Sequence, residues 1–524
     1  MDGKVMVFLR TSSVARAPVY AHLRRCGLTL VLVHPVAPLP PAFEGLFHHH
    51  LQADTCDVAE LLPALADFLS ASRLRPDAIV SLDEYAVYTA AVVATHFGLR
   101  PLPLPPAALQ ENNLKANFRL FCQRRRLAVP RGPVVLEQPP WWRACAAPGG
   151  GEAWERLLSA VAAALGDLAF PVVLKPSPGA GSLLVRRCDT VEAVAAHALT
   201  MWAQFDHHPD MKHFRALTQP VAAGSRPPSP AEAEMAEGQG RWDSAMTLAT
   251  TYGTLVIVEE YVDGHEVDID AVVEHGEVIF CAISDNFPTA PPYFAETGGL
   301  CPSALPAAAQ RSLRDLFLDY VRAQGACLHG VLHFEAKYDP QRKRAYLIEV
   351  NCRLGSAETN TMLKTAYNGL ELGECFARCA LGLPVRPYVA HVLATRGDRE
   401  LLADTAAVAA ALGGSGDGFY AAGRYAASVN LYPAREGVLT RLQLPTTAPR
   451  LRADLGGDVP LVGYSVSAMV GDHVCPPPKR MYLLCWMVTE GGSVTEAVTR
   501  IQYLTEHFVQ QVGAEEEQQG MAQL

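Results

Sequence analysis

Two carboxylates and one amide recur at strand spacing in the second half of the chain. In Val331-Leu332-His333-Phe334-Glu335-Ala336-Lys337, a period of two puts Val331, His333, Glu335 and Lys337 on one face. The same rule puts Leu347, Glu349, Asn351 and Arg353 on one face of the next run. Between them, Tyr338 to Ala345 carries Asp339-Pro340 and three cations and reads as a turn. Paired antiparallel, the two strands present Glu335, Glu349 and Asn351 together, a hard-oxygen set suited to Mg²⁺. The two carboxylates repel one another unless a cation lies between them. The plain alternative is an exposed hairpin whose glutamates pair with Lys337 or Arg342.

Two further segments carry chemistry. The apolar run Phe170-Pro171-Val172-Val173-Leu174 ends in Lys175, followed by Pro176-Ser177-Pro178-Gly179-Ala180-Gly181-Ser182. Glycine and small residues let backbone N–H groups approach phosphate oxygens, and the lysine adds a point charge. The spacing is not that of a Walker A loop, and a strand resuming at Leu183-Leu184-Val185 suggests a hairpin flap. An ordinary glycine turn is the simpler reading. In Leu255–Val262 an apolar strand meets Glu259-Glu260, and Glu266, Asp268 and Asp270 then alternate with apolar residues. Such a stretch can offer acceptors to an amino group and to ribose hydroxyls, or it can be an exposed acidic face.

These segments need a scaffold. The chain has 524 residues, 49% of them hydrophobic and 19% charged, with a net charge of −10. That is globular composition, long enough for about three domains. The acidic balance argues against broad nucleic-acid or anionic-membrane binding. No apolar run is long enough for a bilayer span, and Val5–Leu9 is too short for a secretory segment. Thirteen cysteines without a C-x-x-C pair read as free thiols.

Residues 1 to about 110 alternate strands (Val5–Leu9, Leu28–Val33, Ala78–Ser81) with helices, which predicts a parallel sheet. No G-x-G-x-x-G follows the first strand, so no dinucleotide site is expected. His48-His49-His50 reads as a solvated loop, with a metal cluster as the alternative. The proline-rich 101–106 marks a boundary, and a helix is expected over 106–126, carrying Lys115. Helices are expected at 152–165 and 306–324, and a Pro-, Gly- and Ser-rich mobile insertion at 206–245. Strands near 424–432, 460–470 and 480–488 and a helix over 493–512 complete the pattern.

The order strand–Lys–Gly loop, acidic strand, then Glu…Glu-x-Asn hairpin resembles the ATP-grasp superfamily over about 110–385. Lys115, Lys175, Gly179-Ala180-Gly181-Ser182, Glu259 to Glu266, Glu335 and Glu349 to Arg353 carry that resemblance. Ile283-Ser284-Asp285-Asn286, Glu296-Thr297 and Tyr425 to Pro433 are similar to carnosine-synthase-like and other L-amino-acid ligases. The sequence departs from the family at Leu114, where an aspartate often stands, and at Asn351-Cys352-Arg353-Leu354-Gly355-Ser356, in place of N-P-R-x-G-G.

The resemblance implies a multidomain α/β and α+β chain with an ATP-grasp fold. An N-terminal α/β domain would span 1–108, the ATP-grasp domain 109–385, a C-terminal α+β domain 386–512 and a polar tail 513–524. It implies ATP and Mg²⁺, with Mn²⁺ as the alternative ion. Lys115 and Lys175 would neutralise the α- and β-phosphates, and Gly179, Ala180, Gly181 and Ser182 would cover the γ-phosphate. Glu259, Glu260 and Val262 would form the adenine hinge, and Glu266 would bind ribose. Glu335, Glu349 and Asn351 would hold the metal. Arg353 would bind the substrate carboxylate and act in catalysis with Lys175. Ser284, Asp285, Asn286, Glu296 and Thr297 would contact amino-acid substrates. The general base stays open among His265, His333 and Glu296.

The implied activity is that of a carboxylate–amine ligase. It would form an amide or dipeptide from amino acids through an acyl phosphate, releasing ADP and phosphate. A cytoplasmic location, or an organelle reached by an extension of a longer precursor, and a homodimer accompany this reading, with no nucleic-acid or membrane partner. A carboxylase or purine-pathway ligase on the same fold is the enzymatic alternative, and a non-catalytic nucleotide-binding module the other. No biotin-accepting lysine motif is visible, and the complete charged set speaks against a mere binder.

Overall fold

The computed structural model describes residues 1–145, 151–179, 181–205, 256–289, 291–395, 401–445 and 459–513. Ala180, the expected insertion at 206–245 and the tail beyond Gly513 lie outside the described residues.

The N-terminal sheet has four parallel strands in the order His49–Gln52, Thr29–His34, Val5–Leu9, Ala78–Val80. Its central strands are apolar throughout because both faces are covered. Met6, Phe8, Leu30 and Leu32 pack with Val19, Tyr20 and Leu23 of the helix Ala17–Arg25. Val7, Leu9, Val31 and Val33 pack with Leu61, Leu65 and Leu69 of the helix Val58–Ala71. The histidine run is not a solvated loop. His49 and His50 open the edge strand, and His48 Nδ1 accepts the Leu30 N–H at 3.0 Å.

The expected helix over 106–126 is two helices, Pro106–Asn113 and Lys115–Arg124, broken at an extended Leu114. The break places Lys115 at the first position of the second helix, where its N–H donates to Ser177 O at 3.0 Å. A continuous helix would spend that N–H within itself.

A four-stranded antiparallel sheet follows, in the order Val134–Leu136, Val256–Glu260, Val172–Pro176, Arg186–Cys188. The return strand starts at Arg186, not at Leu183. An eight-stranded antiparallel sheet faces it. Its order is Arg344–Asn351, Gly330–Asp339, His265–Glu274, Glu277–Asn286, Gly298–Cys301, Tyr425–Leu431, Cys485–Gly491, Gly463–Val466. This sheet runs across the expected bound at 385 without a break. Gly298 makes the joint possible: a Cβ there would meet Ser428 O at 2.2 Å. The C-terminal strands thus extend the same sheet that carries the acidic hairpin.

The last expected helix also differs. It ends at Glu506, and Val509–Gly513 is a strand paired with Gly437–Gln443. All 13 cysteines are free thiols. Among the described residues, no helix is long and apolar enough to cross a membrane.

Candidate active site

The acidic hairpin forms as its pattern dictates. Glu335 stands opposite Glu349, and His333 opposite Asn351. On the other side, His265–Glu274 pairs with the same strand, setting Asp268 beside Glu335 and Asp270 beside His333. Three strands therefore lay Asp268, Glu335 and Glu349 in one row. A bulge after Glu335 shifts the register so that Ala336 meets Leu347. Leu347 consequently turns into the core, against the sequence expectation, and Ile348 borders the cavity.

That cavity lies between the two antiparallel sheets. Lys115, Lys175, Glu335, Glu349, Asn351 and Arg353 all border it. So do Gly179, Gly181 and Ser182 on the flap, and Glu260, Val262 and Glu266 on the acidic strand region. Gly181 has φ +61 and Ser182 φ +55. Two successive left-handed residues fold the flap back toward the cavity, and at Ser182 the conformation is uncommon for a residue with a side chain.

Both lysines are held by acids. Lys115 Nζ donates to Glu349 Oε1 and to Gly179 O, each at 2.9 Å. Lys175 Nζ lies 2.6 Å from Glu259 Oε2. Arg119 also binds Glu259, with two nitrogens on its two oxygens. Glu259 borders the cavity but is buried and bound by both Lys175 and Arg119, so it positions the lysine. Arg119 was missed in the sequence, where nothing marks it out from other helical arginines. Glu260 turns outward to Arg342 at 2.6 Å while still bordering the cavity, and Glu266 lies 3.2 Å from Lys337.

Glu335, Glu349 and Asn351 suit a hard divalent cation. Asn351 Nδ2 donates to Glu335 Oε1 at 2.8 Å, which directs its carbonyl oxygen away from that carboxylate. Burial and the facing Glu349 push the Glu335 carboxyl up. Burial also acts to raise Glu349, but Lys115 and Lys175 outweigh it and hold Glu349 below the usual range. Glu335 has the His333 imidazole 3.9 Å away where Glu349 has Lys115. Two carboxylates and an amide oxygen are the donors Mg²⁺ prefers.

Arg353 is anchored from two domains. Its Nε lies 2.7 Å from Glu84 Oε2, and its Nη1 donates to Leu354 O at 2.8 Å. Glu84 follows the parallel strand Ala78–Val80, so the N-terminal domain aims this arginine. Nothing in the sequence around Glu84 points to this partner.

Of the residues expected to contact amino acids, Glu296 and Arg353 border the cavity, whereas Ser284, Asp285, Asn286 and Thr297 do not. Asp285 accepts from the Ser303 hydroxyl and from Ala304 N–H at 2.7 Å. Asn286 Nδ2 donates to Asp268 Oδ1 at 2.9 Å, and Thr297 Oγ1 donates to Phe287 O at 3.2 Å. Ser284 is buried. The Asp285, Asn286 and Thr297 side chains brace the strand ends. Of the candidate bases, His265 is exposed and does not border the cavity. His333 Nδ1 lies 3.0 Å from Asp270 Oδ1 and its Nε2 lies 3.8 Å from Asp268. Burial lowers its basicity, but Asp270 and Asp268 reverse this and raise the imidazole to about 10, so it is a fixed cation. Glu296 is pushed up to about 7 by burial, with Glu358 and Asp268 adding to the effect.

Residues 229–361 match a family model described as an ATP-grasp domain. Carnosine synthase 1 of Gallus gallus is 30% identical over 388 residues, 73% of this chain and 36% of that protein. Carnosine synthase 1 of Mus musculus is 24% identical over 406 residues, 74% of this chain and 41% of that protein. The chain therefore spans well under half the length of these curated relatives. Among solved structures, an L-amino acid ligase from Bacillus licheniformis superposes with a TM-score of 0.65 at 15% identity, over 98% of this chain and 100% of that one. A phosphoribosylglycinamide synthetase from Anaerococcus prevotii gives 0.58 at 10% identity, over 97% and 100%. These structures speak to the fold, and the sequence relatives speak to its nearer kin. The protein has the ATP-grasp fold and resembles the carnosine synthases and L-amino acid ligases.

Proposed function

We propose that this chain is an ATP- and Mg²⁺-dependent carboxylate–amine ligase that joins amino acids through an amide bond and releases ADP and phosphate. The observation that carries this reading is the convergence of Lys115, Lys175, Glu335, Glu349, Asn351 and Arg353 on one cavity. A regulatory nucleotide binder has no use for an arginine held beyond the metal-binding carboxylates.

The residues divide the work. Glu260 and Val262 face the adenine and Glu266 the ribose, while Lys115 and Lys175 neutralise the phosphates nearest the sugar. Both lysines are preset by Glu349 and Glu259, so little reorganisation accompanies nucleotide entry. Glu335, Glu349 and Asn351 would hold Mg²⁺, which would supply neutralisation of the phosphate charge. Gly179, Gly181 and Ser182 close over the terminal phosphate and exclude water, which would otherwise hydrolyse an acyl phosphate. Arg353 holds the carboxylate under activation by its guanidinium and keeps it aligned with the γ-phosphorus. Attack by the amine of the second amino acid on the acyl carbon then expels phosphate. Glu296, raised to about 7, is suited to accept the amine proton.

The test is a panel of amino-acid pairs with Mg·ATP, scored by phosphate release and product mass. Release that requires both partners and yields a condensed product supports the reading. Release with bicarbonate alone, or with no pair in the panel, overturns it.

A further inference from the structure

Arg16 ends the short turn Val14–Arg16 after the first strand and is only 3% exposed. Its Nη2 donates to the carbonyl oxygens of Leu354, at 3.3 Å, and Gly355. Its Nη1 is buried and has no partner. Among the described residues no carboxylate pairs with it. A buried guanidinium normally has an acid beside it, because an uncompensated charge out of water is costly. Here the nearest strong influences are burial and the like charge of Arg353, which together lower the guanidinium to about 10. No local motif announces this role for the turn.

Arg16 borders a chamber of about 370 Å³ that continues from the nucleotide cavity. Gly181, Ser182, Glu296, Arg353 and Ser356 border both spaces, whereas Arg16 borders only the outer one. The opposite charge is present on the same walls. Glu358 is 6% exposed, and among the described residues its carboxylate meets only the Asn430 amide, at 3.4 Å. Among the described residues Glu296 has no lysine or arginine partner, and Glu358 disfavours charge on it. One unpaired cation and two unpaired acids thus line a space within the size range of small-molecule sites. A zwitterion complements both.

We propose that Arg16 binds the carboxylate of the amine-donating amino acid, with Glu358 and Glu296 facing its ammonium group. This rests on the ligase reading above. Ligation consumes one carboxylate and leaves the other in the product. Arg353, beside the metal-binding residues, faces the one consumed. Arg16, outside that cavity, faces the one that survives. The acceptor is then an amino acid with a free carboxylate and not a simple amine.

The experiment measures binding, so it needs no turnover. The full chain, with Mg·ADP present, is titrated with the twenty L-amino acids and their α-carboxamides, for wild type, Arg16→Met, Arg16→Lys and Glu358→Gln. Wild type is expected to bind at least one free amino acid about tenfold or more tightly than its carboxamide, a difference of roughly 1.4 kcal/mol. Arg16→Met should erase that preference while Mg·ADP affinity stays within about twofold. Arg16→Lys should restore part of it, and Glu358→Gln should weaken acid and amide alike. Melting of the ligand-free protein guards against misfolding: Arg16→Met relieves an unpaired buried charge but leaves Leu354 O and Gly355 O without this donor, so the variant should melt within about 5 °C of wild type. The proposal is overturned if Arg16→Met keeps the preference, if it melts about 5 °C or more below wild type, or if wild type never distinguishes acid from amide. A wild type that discriminates acid from amide yet releases no phosphate with any pair sinks the ligase reading and leaves the carboxylate site standing.

Discussion

Lys115 Nζ and Glu349 Oε1 lie 2.9 Å apart, tying the helix that begins after Leu114 to the acidic hairpin. The pair explains why two facing carboxylates differ: Glu349 has a lysine and Glu335 does not. Glu349→Gln removes a proposed metal donor and the negative charge facing Lys115 at once. Phosphate release should fall by about 100-fold or more, a loss of roughly 2.7 kcal/mol or more in transition-state stabilisation. Turnover unchanged across a Mg²⁺ titration would show that the hairpin holds no catalytic metal.

Glu335→Gln separates metal binding from folding. It keeps the shape and the Asn351 contact while removing one of two facing charges. The ligand-free variant should melt at or above the wild-type temperature, because repulsion between buried carboxylates is relieved. The stabilisation that Mg·ADP gives wild type, by mass action on the folded state, should shrink in the variant. Thermal melts with Mg·ADP, with ADP plus a chelator and without ligand make the comparison. A ligand-free variant that melts well below wild type would mean that Glu335 is structural.

Glu84 and Arg353 join the N-terminal domain to the site at 2.7 Å. Glu84→Gln leaves the arginine charged but loosens its aim. The KM for the activated acid should rise by about tenfold, with the KM for ATP little changed, as fits loss of a charge-assisted hydrogen bond worth about 1.5 kcal/mol. Steady-state kinetics varying acid and ATP separately provide the check. Equal rises in both constants would instead indicate a general loss of domain packing.

What the sequence made legible and what it did not divide along physical lines. Period-two alternation in 331–337 and the acid–amide spacing at Glu349 and Asn351 survive folding because strand faces are set locally. The bulge at Glu335 was invisible, since it arises where two strands must match lengths, and it exchanged Leu347 for Ile348 at the cavity. The break at Leu114 was invisible for a similar reason: a helix-compatible residue turns extended so that Lys115 can meet Ser177 O. Arg16, Glu84 and Arg119 act through partners more than 100 residues away, and nothing in their local sequence announces it. Asp285, Asn286 and Thr297, expected at the substrate, make contacts within the sheet and do not border the cavity, and polar residues at strand ends satisfy backbone groups as readily as ligands.

Glu259 supports a prediction about acid. Burial alone would raise its carboxyl, but Arg119 and Lys175 outweigh that and hold it at about 2 in the folded chain. Its ordinary value in an unfolded chain is near 4.5. A depressed carboxylate contributes stability that is complete above the unfolded value and is lost as pH falls through the folded one. The shift corresponds to about 3 kcal/mol, present at pH 7 and disappearing between roughly pH 4.5 and 2. Glu259→Gln cannot make this contribution and leaves Arg119 and Lys175 buried without their acid. Its melting temperature should lie well below that of wild type at pH 7, and the two curves should converge as pH is lowered toward 2. Melts at pH 7, 4.5 and 3 measure the gap. A gap that stays constant across this range would mean that Glu259 is not ionised in the folded state, and Lys175 would then need another partner to hold it at the cavity.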